Sequence, residues 1–386
     1  MTAQIIFWIL LGLLFHAYIG YGLMISVFSY LRPRRKRKAQ PDFFHKVSII
    51  VPAYNEADVL TQKIDNLLSL DYPTELLEIY FVTDGSTDLS NNIVETYPII
   101  HLLTGPERKG KAAAINRAVE QSNAPVIVFT DANTLLNKEA IQHIVSHYAD
   151  EAVGGVACEK KVKSIGSKED ITGSAEGLYW KYESVMKELE SNVYSVIGAA
   201  GELFSMRREL FIPLPEDTIL DDFILSTHIL KNGFRLVYEK KAYSIELPSS
   251  SLHEEAKRKT RIGAGAAQAM ARLGWFPYKN PQLNFQYYSR RVIRWVIGPP
   301  ALILLLIINI CLLNDDMMYG IALSLQVIFY LFAIAGYILY LLGLNIGVAI
   351  APFYFVFMNG CMLIGIVKQL ISPQHVNWEK AGRRLE

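Results

Sequence analysis

Two apolar blocks at the opposite ends of this 386-residue chain limit its possible folds more than any other feature. Residues Ile5 to Leu31 contain no Asp, Glu, Lys or Arg, and a helix rising about 1.5 Å per residue over that length crosses a bilayer core of about 30 Å. A secretory signal peptide is the alternative, but the segment has no basic start, is too long, and lacks a small-residue cleavage site before the next charges. We therefore expect residues 1–40 to contain an N-terminal transmembrane helix followed by a basic juxtamembrane segment.

The basic segment directly after this helix is Arg32 to Lys38, "RPRRKRK", in which six of seven residues are Lys or Arg. The positive-inside rule places such a segment in the cytoplasm. A nucleic-acid patch is the usual competitor, but the position beside a membrane span favours a topology signal and contact with membrane lipids. We predict no nucleic-acid partner.

The C-terminal block, residues 291–372, contains three further apolar segments joined by very short connections. They are Trp295–Leu313, Tyr319–Leu342 and Ile346–Val367. Three crossings would put the tail, residues 373–386, outside, whereas its basic residues favour the inside, so the number of crossings stays open. Pro299, Pro300 and Pro352 mark places where these helices could break.

The middle of the chain, residues 41–290, has the length of one domain. Its first hundred residues alternate β-branched apolar runs with amphipathic helical patterns, the second helix being predicted to start with Ser86 or Thr87 as its N-cap. This alternation predicts an α/β fold with a mainly parallel sheet covered by helices on both faces. The three cysteines show no CxxC spacing, which is typical of a reducing, cytoplasmic compartment.

Polar residues follow each of the four predicted strands. The four segments are "PAYNE" (Pro52–Glu56), "TDGSTD" (Thr83–Asp88), "GPERKGKA" (Gly105–Ala112) and "DANT" (Asp131–Thr134). Ligands of parallel sheets bind at the carboxyl ends of the strands, so these segments are expected to lie at one site. The chain has neither a GxGxxG after the first strand nor a GxxxxGK[ST] motif, which argues against a Rossmann dinucleotide site and a P-loop.

The side chains of these segments suit a nucleotide diphosphate. Asp84 can accept hydrogen bonds from a base or ribose, and Lys109 and Lys111 can balance phosphate charge. Asp131 and Asn133 offer two oxygen ligands to a hard divalent ion such as Mg²⁺ or Mn²⁺. A turn or a helix cap explains each residue singly, but all four segments together, in strand–helix order, indicate a nucleotide site.

These motifs resemble the membrane-embedded, polysaccharide-synthase-like members of glycosyltransferase family 2. The resemblance implies a GT-A fold and inverting transfer of a sugar from a nucleotide-sugar, with UDP favoured, to a lipid or a growing glycan. It assigns Pro52, Tyr54 and Glu56 to the opening strand of the donor site and Asp84 to the uridine contact. "DANT" then corresponds to the DxD metal motif, with Asn133 in place of the second Asp.

The resemblance also implies an acceptor segment and a general base. "GAAGELFSMRREL", Gly198 to Leu210, resembles the acceptor segment, with Gly201 in contact with substrate. The acid pair Asp221–Asp222 opens an amphipathic helix as in the family's "EDxxL" pattern, and we choose it over the nearby Glu216–Asp217. Asp222 is predicted to be the base, because an adjacent buried acid raises a carboxyl pKa. Stabilisation of a helix N-terminus is the alternative role of both acids.

Two segments compete for the family's QxxRW motif. "RKTRI", Arg258 to Ile262, has the expected spacing after Asp222, and we assign Arg258 and Arg261 to the donor diphosphate. "RVIRW", Arg291 to Trp295, matches the letters better but abuts a membrane span, so we interpret it as an interfacial anchor. Ile262 then replaces the family's Trp, which puts polymerising activity in doubt.

Three functional hypotheses follow. The first is a multi-pass cell-membrane glycosyltransferase with a cytoplasmic catalytic domain that builds a cell-surface polysaccharide or exopolysaccharide. The second is a glycosyltransferase that adds one sugar to a lipid. The third is a membrane-tethered nucleotide-binding scaffold without turnover, which would need neither Asp222 nor Arg258.

Overall fold

The protein is described by a computed structural model covering residues 1–31, 40, 43–163, 171–274, 278–344 and 347–372, without the side chains of residues 171–175. The basic run Arg32–Lys38 and the tail, residues 373–386, lie outside the described residues. The topology predictions drawn from their charges therefore stay predictions.

One eight-stranded mixed sheet forms the centre of the molecule, in the strand order β3-β2-β1-β4-β7-β6-β8-β5. The strands are β1 (Val47–Ala53), β2 (Leu77–Asp84), β3 (His101–Gly105), β4 (Val126–Thr130), β5 (Leu135–Leu136), β6 (Val153–Val162), β7 (Leu203–Arg207) and β8 (Arg235–Glu246). The helices before and within the sheet are α1 (Thr2–Phe15), α2 (Tyr21–Leu31), α3 (Ala57–Leu68), α4 (Ser90–Glu95), α5 (Lys111–Gln121), α6 (Ala140–Val145), α7 (Ile171–Val193) and α8 (Asp221–Lys231). The helices after it are α9 (Leu252–Leu273), α10 (Pro281–Tyr287), α11 (Gly298–Cys311), α12 (Met317–Leu341) and α13 (Ile350–Ile371).

The first half of the sheet is parallel, as the alternating pattern predicts. Strand β1 pairs with β2 and β4, and β2 pairs with β3, all in parallel register. Successive residues of β1 point to opposite faces, so Ile49 packs on the side of Leu60 and Ile64 of α3. Ile50 packs on the other side with Ile115 of α5. This two-faced burial explains why β1 is apolar along its length.

The second half of the sheet is mixed. Strand β7 runs antiparallel to both β4 and β6, while β8 is parallel to β6. The loop that leads into β7 therefore reaches the same edge as the ends of the parallel strands. The acid pair Asp221–Asp222 forms the start of α8 and lies at this edge as well. At its other end α8 is followed by Gly233, which adopts φ 84°.

Four helical runs are long and apolar enough to cross a membrane. They are Thr2–Leu31, Pro281–Cys311, Met317–Leu341 and Gly347–Ile371. The second run begins earlier than predicted and does not break at Pro299–Pro300. A π-helical segment, Tyr288–Ile297, precedes these prolines, which lie in the first turn of α11 where a missing N–H is tolerated.

Helix α9 packs closely against α13, which belongs to one of the four candidate membrane spans. A Cβ added at Gly263 would lie 2.5 Å from the Met362 carbonyl oxygen, and one at Gly365 would overlap the Thr260 carbonyl. Glycine is needed at both positions because the two backbones touch. This contact joins the helix carrying Arg258 and Arg261 to the membrane block.

Candidate active site

A cavity of about 1120 Å³ opens at the carboxyl ends of the parallel strands. Its lining brings together most of the residues predicted from the sequence. They are Pro52, Tyr54, Glu56, Lys111, Asp131, Asn133, Gly201, Asp221, Asp222, Arg258 and Arg261. Asp84 and Lys109 are not among the lining residues.

The loops after β1 and β2 are joined by hydrogen bonds from polar side chains. The side-chain oxygen of Asn55, a residue at φ 51°, accepts from the Thr87 backbone amide at 2.8 Å. The backbone amide of Asn55 donates to the Ser86 hydroxyl at 3.2 Å. The Glu56 amide donates to the Ser90 hydroxyl at 3.0 Å. Ser86 and Thr87 therefore hold the preceding loop instead of capping α4, which begins at Ser90 with Leu89 as its N-cap. The predicted cap is wrong for this reason.

Asp84 has a backbone partner next to the cavity. Its Oδ2 accepts from the amides of Lys109 and Gly110 at 2.9 and 2.6 Å. Gly110, at φ 96°, then starts α5, so the first side chain of that helix is Lys111. Asp84 thus fixes the turn that directs Lys111 into the cavity, and the uridine contact assigned to Asp84 stays a prediction.

The Lys111 ammonium stands between two carboxylates at the centre of the site. Its Nζ lies 2.8 Å from Asp131 Oδ1 and 3.5 Å from Asp221 Oδ2. Burial alone would lower the pKa of Lys111, but Asp131 and Asp221 outweigh it and raise that pKa above its ordinary value. Lys111 is therefore a permanent cation beside the predicted base.

Asp222 has the electrostatics of a general base. Burial and the neighbouring Asp221 carboxylate raise the pKa of Asp222 to about 7, against the opposing charge of Lys111. Its Oδ1 accepts from the Phe223 amide at 2.7 Å, and its Oδ2 would lie 3.7 Å from a Cβ added at Gly201. A base with a pKa near neutrality exchanges protons efficiently at physiological pH.

The donor atoms around Asp131 fit a divalent ion that takes most of its ligands from a substrate. Among the described residues, no three His, Cys, Asp or Glu side chains form a ready metal site. One carboxylate and one amide suffice when diphosphate and water supply the remaining oxygens. The Asp131 side chain is 32% exposed and remains accessible, while the Asn133 amide nitrogen donates to Glu246 at 3.3 Å.

The two arginines of "RKTRI" have different surroundings. Arg258 pairs with Glu176 at 2.5 Å and with Glu255 at 3.1 Å, both of which are fully buried. Arg261, one turn further along α9, interacts electrostatically with Asp221 and with Asp131 and Asp222. Arg261 therefore has the better position for a donor diphosphate, and Arg258 belongs to a buried ion-pair network.

That network continues to the end of the sheet. The Lys160 ammonium pairs with both Glu202, which precedes β7, and Glu246, which ends β8. Glu255 also accepts from the Tyr354 hydroxyl of α13 at 2.8 Å. The network thus links the strand ends, α9 and α13, and apart from Arg258 its charged groups belong to no recognisable sequence motif.

Arg291 of "RVIRW" is buried beside the acceptor segment and the other four residues are half-buried, so the interpretation as an interfacial anchor is wrong for Arg291. Arg291, 5% exposed, donates two hydrogen bonds to the Ile197 carbonyl at 2.8 and 2.5 Å. It holds the loop at Gly198, which adopts φ 102°. The Trp295 ring lies 5.4 Å from that of Phe223 and also lines the cavity.

The cavity continues from Asp222 to the apolar helices of the candidate membrane spans. Tyr18 of the N-terminal helical run donates to Asn359 of α13 at 2.5 Å, and both side chains line the cavity. Its far end is mainly apolar, with Phe355, Met358 and Met362 contributed by α13. One continuous space therefore joins the strand ends to the apolar helices.

Comparison with known proteins agrees with this arrangement. Residues 48–213 match the family described as glycosyl transferase family 2. The chain carries a glycosyl transferase family 2 domain. This match spans β1 to the segment just after β7, and so includes the four strand-end segments and Gly201.

Curated relatives of the chain include glycosyltransferases and a polysaccharide synthase. It is 25% identical over 280 residues to "Probable glycosyltransferase YdaM" of Bacillus subtilis, an alignment covering 67% of this chain and 63% of that protein. It is 23% identical over 247 residues to the poly-beta-1,6-N-acetyl-D-glucosamine synthase of Staphylococcus aureus, covering 62% and 58% of the two chains. The chain thus spans about six-tenths of the length of these relatives.

A solved structure shares the fold over almost the whole chain. The mannosyltransferase of Pyrobaculum calidifontis, in complex with GDP-Man and Mn²⁺, superposes with a TM-score of 0.73 at 24% identity. The superposition covers 96% of this chain and 100% of that one. The described sheet and its helices form a GT-A fold, which confirms the predicted fold class.

Several residues of this cavity were missed by sequence reasoning. Glu202 and Glu246 line the cavity, and Lys160 pairs with both of them. No local pattern marks these three residues. Arg291 and Trp295 had a signal, because "RVIRW" matches the family motif in its letters. Its position beside a predicted membrane span indicates an interfacial location, whereas the structure turns Arg291 towards the Ile197 carbonyl.

Proposed function

We propose that this protein is an inverting glycosyltransferase that moves a sugar from a nucleotide-sugar to a membrane-associated acceptor. The observation that carries the proposal is the single cavity that joins the strand ends, Asp222 and the apolar helices. The donor enters at the strand ends and the acceptor at the membrane side. We assign the catalytic unit to residues 41–290, placed in the cytoplasm by the basic run that follows the first helix.

The chain's own residues account for the transfer. Lys111 and Arg261 lie where they can balance the negative charge of the leaving diphosphate. Asp222 takes the proton of the acceptor hydroxyl as that oxygen bonds to the anomeric carbon and the diphosphate departs from the opposite face. One direct displacement of this kind inverts the anomeric configuration.

Asp131 and Asn133 would hold the Mg²⁺ or Mn²⁺ ion that accompanies the donor. When bound, such an ion adds positive charge to the leaving diphosphate. A UDP-sugar is the donor favoured by the family resemblance, and GDP-sugars are the alternative to be tested beside it, since the fold also serves a GDP-Man complex.

Two acceptor classes remain within the proposal. The Trp295 ring lies next to that of Phe223 and lines the cavity. A sugar of a growing glycan can stack on this aromatic surface, which favours a polysaccharide product. The apolar residues at the far end of the cavity favour a lipid-linked acceptor receiving a single sugar. The size of the product distinguishes the two classes.

The test is nucleotide release and product formation by the full chain in detergent, with a panel of UDP- and GDP-sugars and Mg²⁺ or Mn²⁺. We expect Asp222→Asn to bind the donor as the wild type does but to lose roughly 10³-fold in turnover. Asp217→Asn is the matched control, because Asp217 belongs to the other acid pair and is 62% exposed at its side chain. Unchanged transfer in Asp222→Asn would reject this base, and donor binding without transfer in the wild type would favour the scaffold hypothesis.

A further inference from the structure

Two buried hydrogen-bond donors lack partners on the side of the cavity formed by α7. Lys187 is 4% exposed, lines the cavity, and makes no hydrogen bond or ion pair with the residues that the structure describes. The Trp180 Nε1 is likewise buried without an acceptor in that part of the chain. The Lys187 ammonium lies 5.6 Å from the centre of the Trp180 ring, so the two donors belong to one region.

The acidic neighbours of Lys187 are each held by other groups. Its largest favourable interaction is with Glu183, which pairs at 2.8 Å with Arg290 and at 3.0 Å with Arg294. The next is with Glu202, which pairs with Lys160. The ammonium is therefore near negative charge but is not neutralised by a direct contact.

Glu159, the third acidic neighbour, is also engaged. Both of its carboxylate oxygens accept from the Ser184 hydroxyl at 2.7 Å, and the Tyr238 hydroxyl donates to one of them. The Tyr238 ring lies 5.9 Å from the Lys187 ammonium, at the outer limit of a cation–π contact. Burial lowers the pKa of Lys187 below its ordinary value, as expected for an ammonium without a counter-ion.

A buried ammonium of this kind is stabilised when a ligand brings an anionic oxygen to it. The strand-end side of the cavity already has Lys111 and Arg261 for the donor diphosphate. Lys187 instead interacts with Glu202 of the acceptor segment and with Arg291, which holds that segment. Its position therefore belongs to the acceptor part of the cavity.

We propose that Lys187 and the Trp180 Nε1 form a subsite for an anionic group of the acceptor. The group is either the phosphate that links a glycan to its lipid or the carboxylate of an acidic sugar, and both present the same oxygen chemistry. This inference rests on the proposed function and adds a charge requirement to its acceptor.

The test uses three lipid probes with the full chain in nanodiscs. They are a polyprenyl diphosphate-linked hexose, a diacylglycerol glucuronide and a neutral diacylglycerol glucoside. Binding constants are measured without donor, so that the subsite is tested independently of turnover. We expect one anionic probe to bind about tenfold or more tightly than the neutral one, as a charge-assisted hydrogen bond would give.

Variants at position 187 separate charge from hydrogen bonding. Lys187→Gln keeps a donor but removes the charge, and we expect it to lose the preference for the anionic probe by about tenfold. Lys187→Arg is expected to keep most of that preference. Lys181→Gln, the same change at an exposed position of α7, is the matched control and should leave all three affinities unchanged.

The outcomes decide the subsite and the function separately. Equal affinity for all three probes in the wild type, or an equal loss for all three in Lys187→Gln, would overturn the subsite. The anionic probe that responds identifies the phosphate or the carboxylate as the source. A preserved charge preference combined with no sugar transfer to any probe would instead reject the proposed function and leave the subsite standing.

Discussion

The two halves of the cavity are built by different interactions. On the donor side, apart from the Lys111–Asp131 ion pair, uncharged side chains such as Asn55, Ser86 and Ser90 bond to backbone groups of the neighbouring loop. On the acceptor and membrane side, buried ion pairs such as Arg258–Glu176 join segments that are far apart in the chain. Removing one neutral hydrogen bond costs little, whereas leaving one buried charge without its partner costs several kcal/mol. The two halves should therefore respond very differently to substitution.

The largest effect is expected for Arg258→Met. It leaves Glu176 and Glu255 buried without their main partner, at a cost of about 3–5 kcal/mol. We expect a sharp fall in the yield and thermal stability of the purified protein. Arg272→Met, on the same helix and paired with the exposed Asp217, should be close to wild type. A stable Arg258→Met protein with weakened donor binding would show instead that Arg258 contacts the diphosphate.

Arg261→Met tests whether Arg261, unlike Arg258, lies outside the buried ion-pair network. Its electrostatic partners Asp221 and Asp131 keep Lys111 as a counter-ion, so we expect thermal stability to fall less than in Arg258→Met. The KM for the nucleotide-sugar should rise about tenfold, since a charged hydrogen bond to phosphate is lost. A fall in stability equal to that of Arg258→Met, with KM unchanged, would place Arg261 in the structural network as well.

The pH dependence of transfer tests the acid pair. The pKa of Asp222 is about 7, and the base acts only when deprotonated, so kcat/KM should rise with pH to a plateau above neutrality. Asp221→Asn removes the neighbouring negative charge, which should lower the pKa of Asp222 and move the midpoint to lower pH. A midpoint that does not move would mean that Asp221 exerts no charge effect on the base.

The smallest effect is expected on the donor side. Ser86→Ala removes one hydrogen bond to the Asn55 amide, worth about 1 kcal/mol. We expect the donor KM to rise by less than about fivefold, with kcat unchanged. Thr96→Ala, which removes a bond to a carbonyl of its own helix, is the control. A loss as large as that of Arg261→Met would remove the contrast between the two halves.

The donor half could be predicted from the sequence because its determinants are local. Each strand is a short apolar run and each functional group follows it directly, so that parallel pairing alone brings Glu56, Lys111 and Asp131 to one edge. The error at Ser86 and Thr87 came from the same locality, because their partner, Asn55, lies in the preceding loop.

The acceptor half could be predicted only in part. The family resemblance, together with the helix that it opens, identifies the acid pair, but the partners of Arg258 come from α7 and from the start of its own helix. No sequence spacing reveals which of two arginines will meet a glutamate from a distant segment. The π-helical segment likewise turns Arg291 inward, an orientation that the pattern of an ordinary α-helix does not predict.

The contact between Gly263 of α9 and the backbone of α13 has a consequence for regiochemistry. No side chain separates the two helices there, so rotamer changes at this contact cannot alter the height of the Arg261 backbone relative to α13. Under the proposed function, we therefore expect the protein backbone to set the depth at which the sugar is transferred. Under the proposed function, we expect transfer to the acceptor hydroxyl whose distance from the bilayer equals this depth.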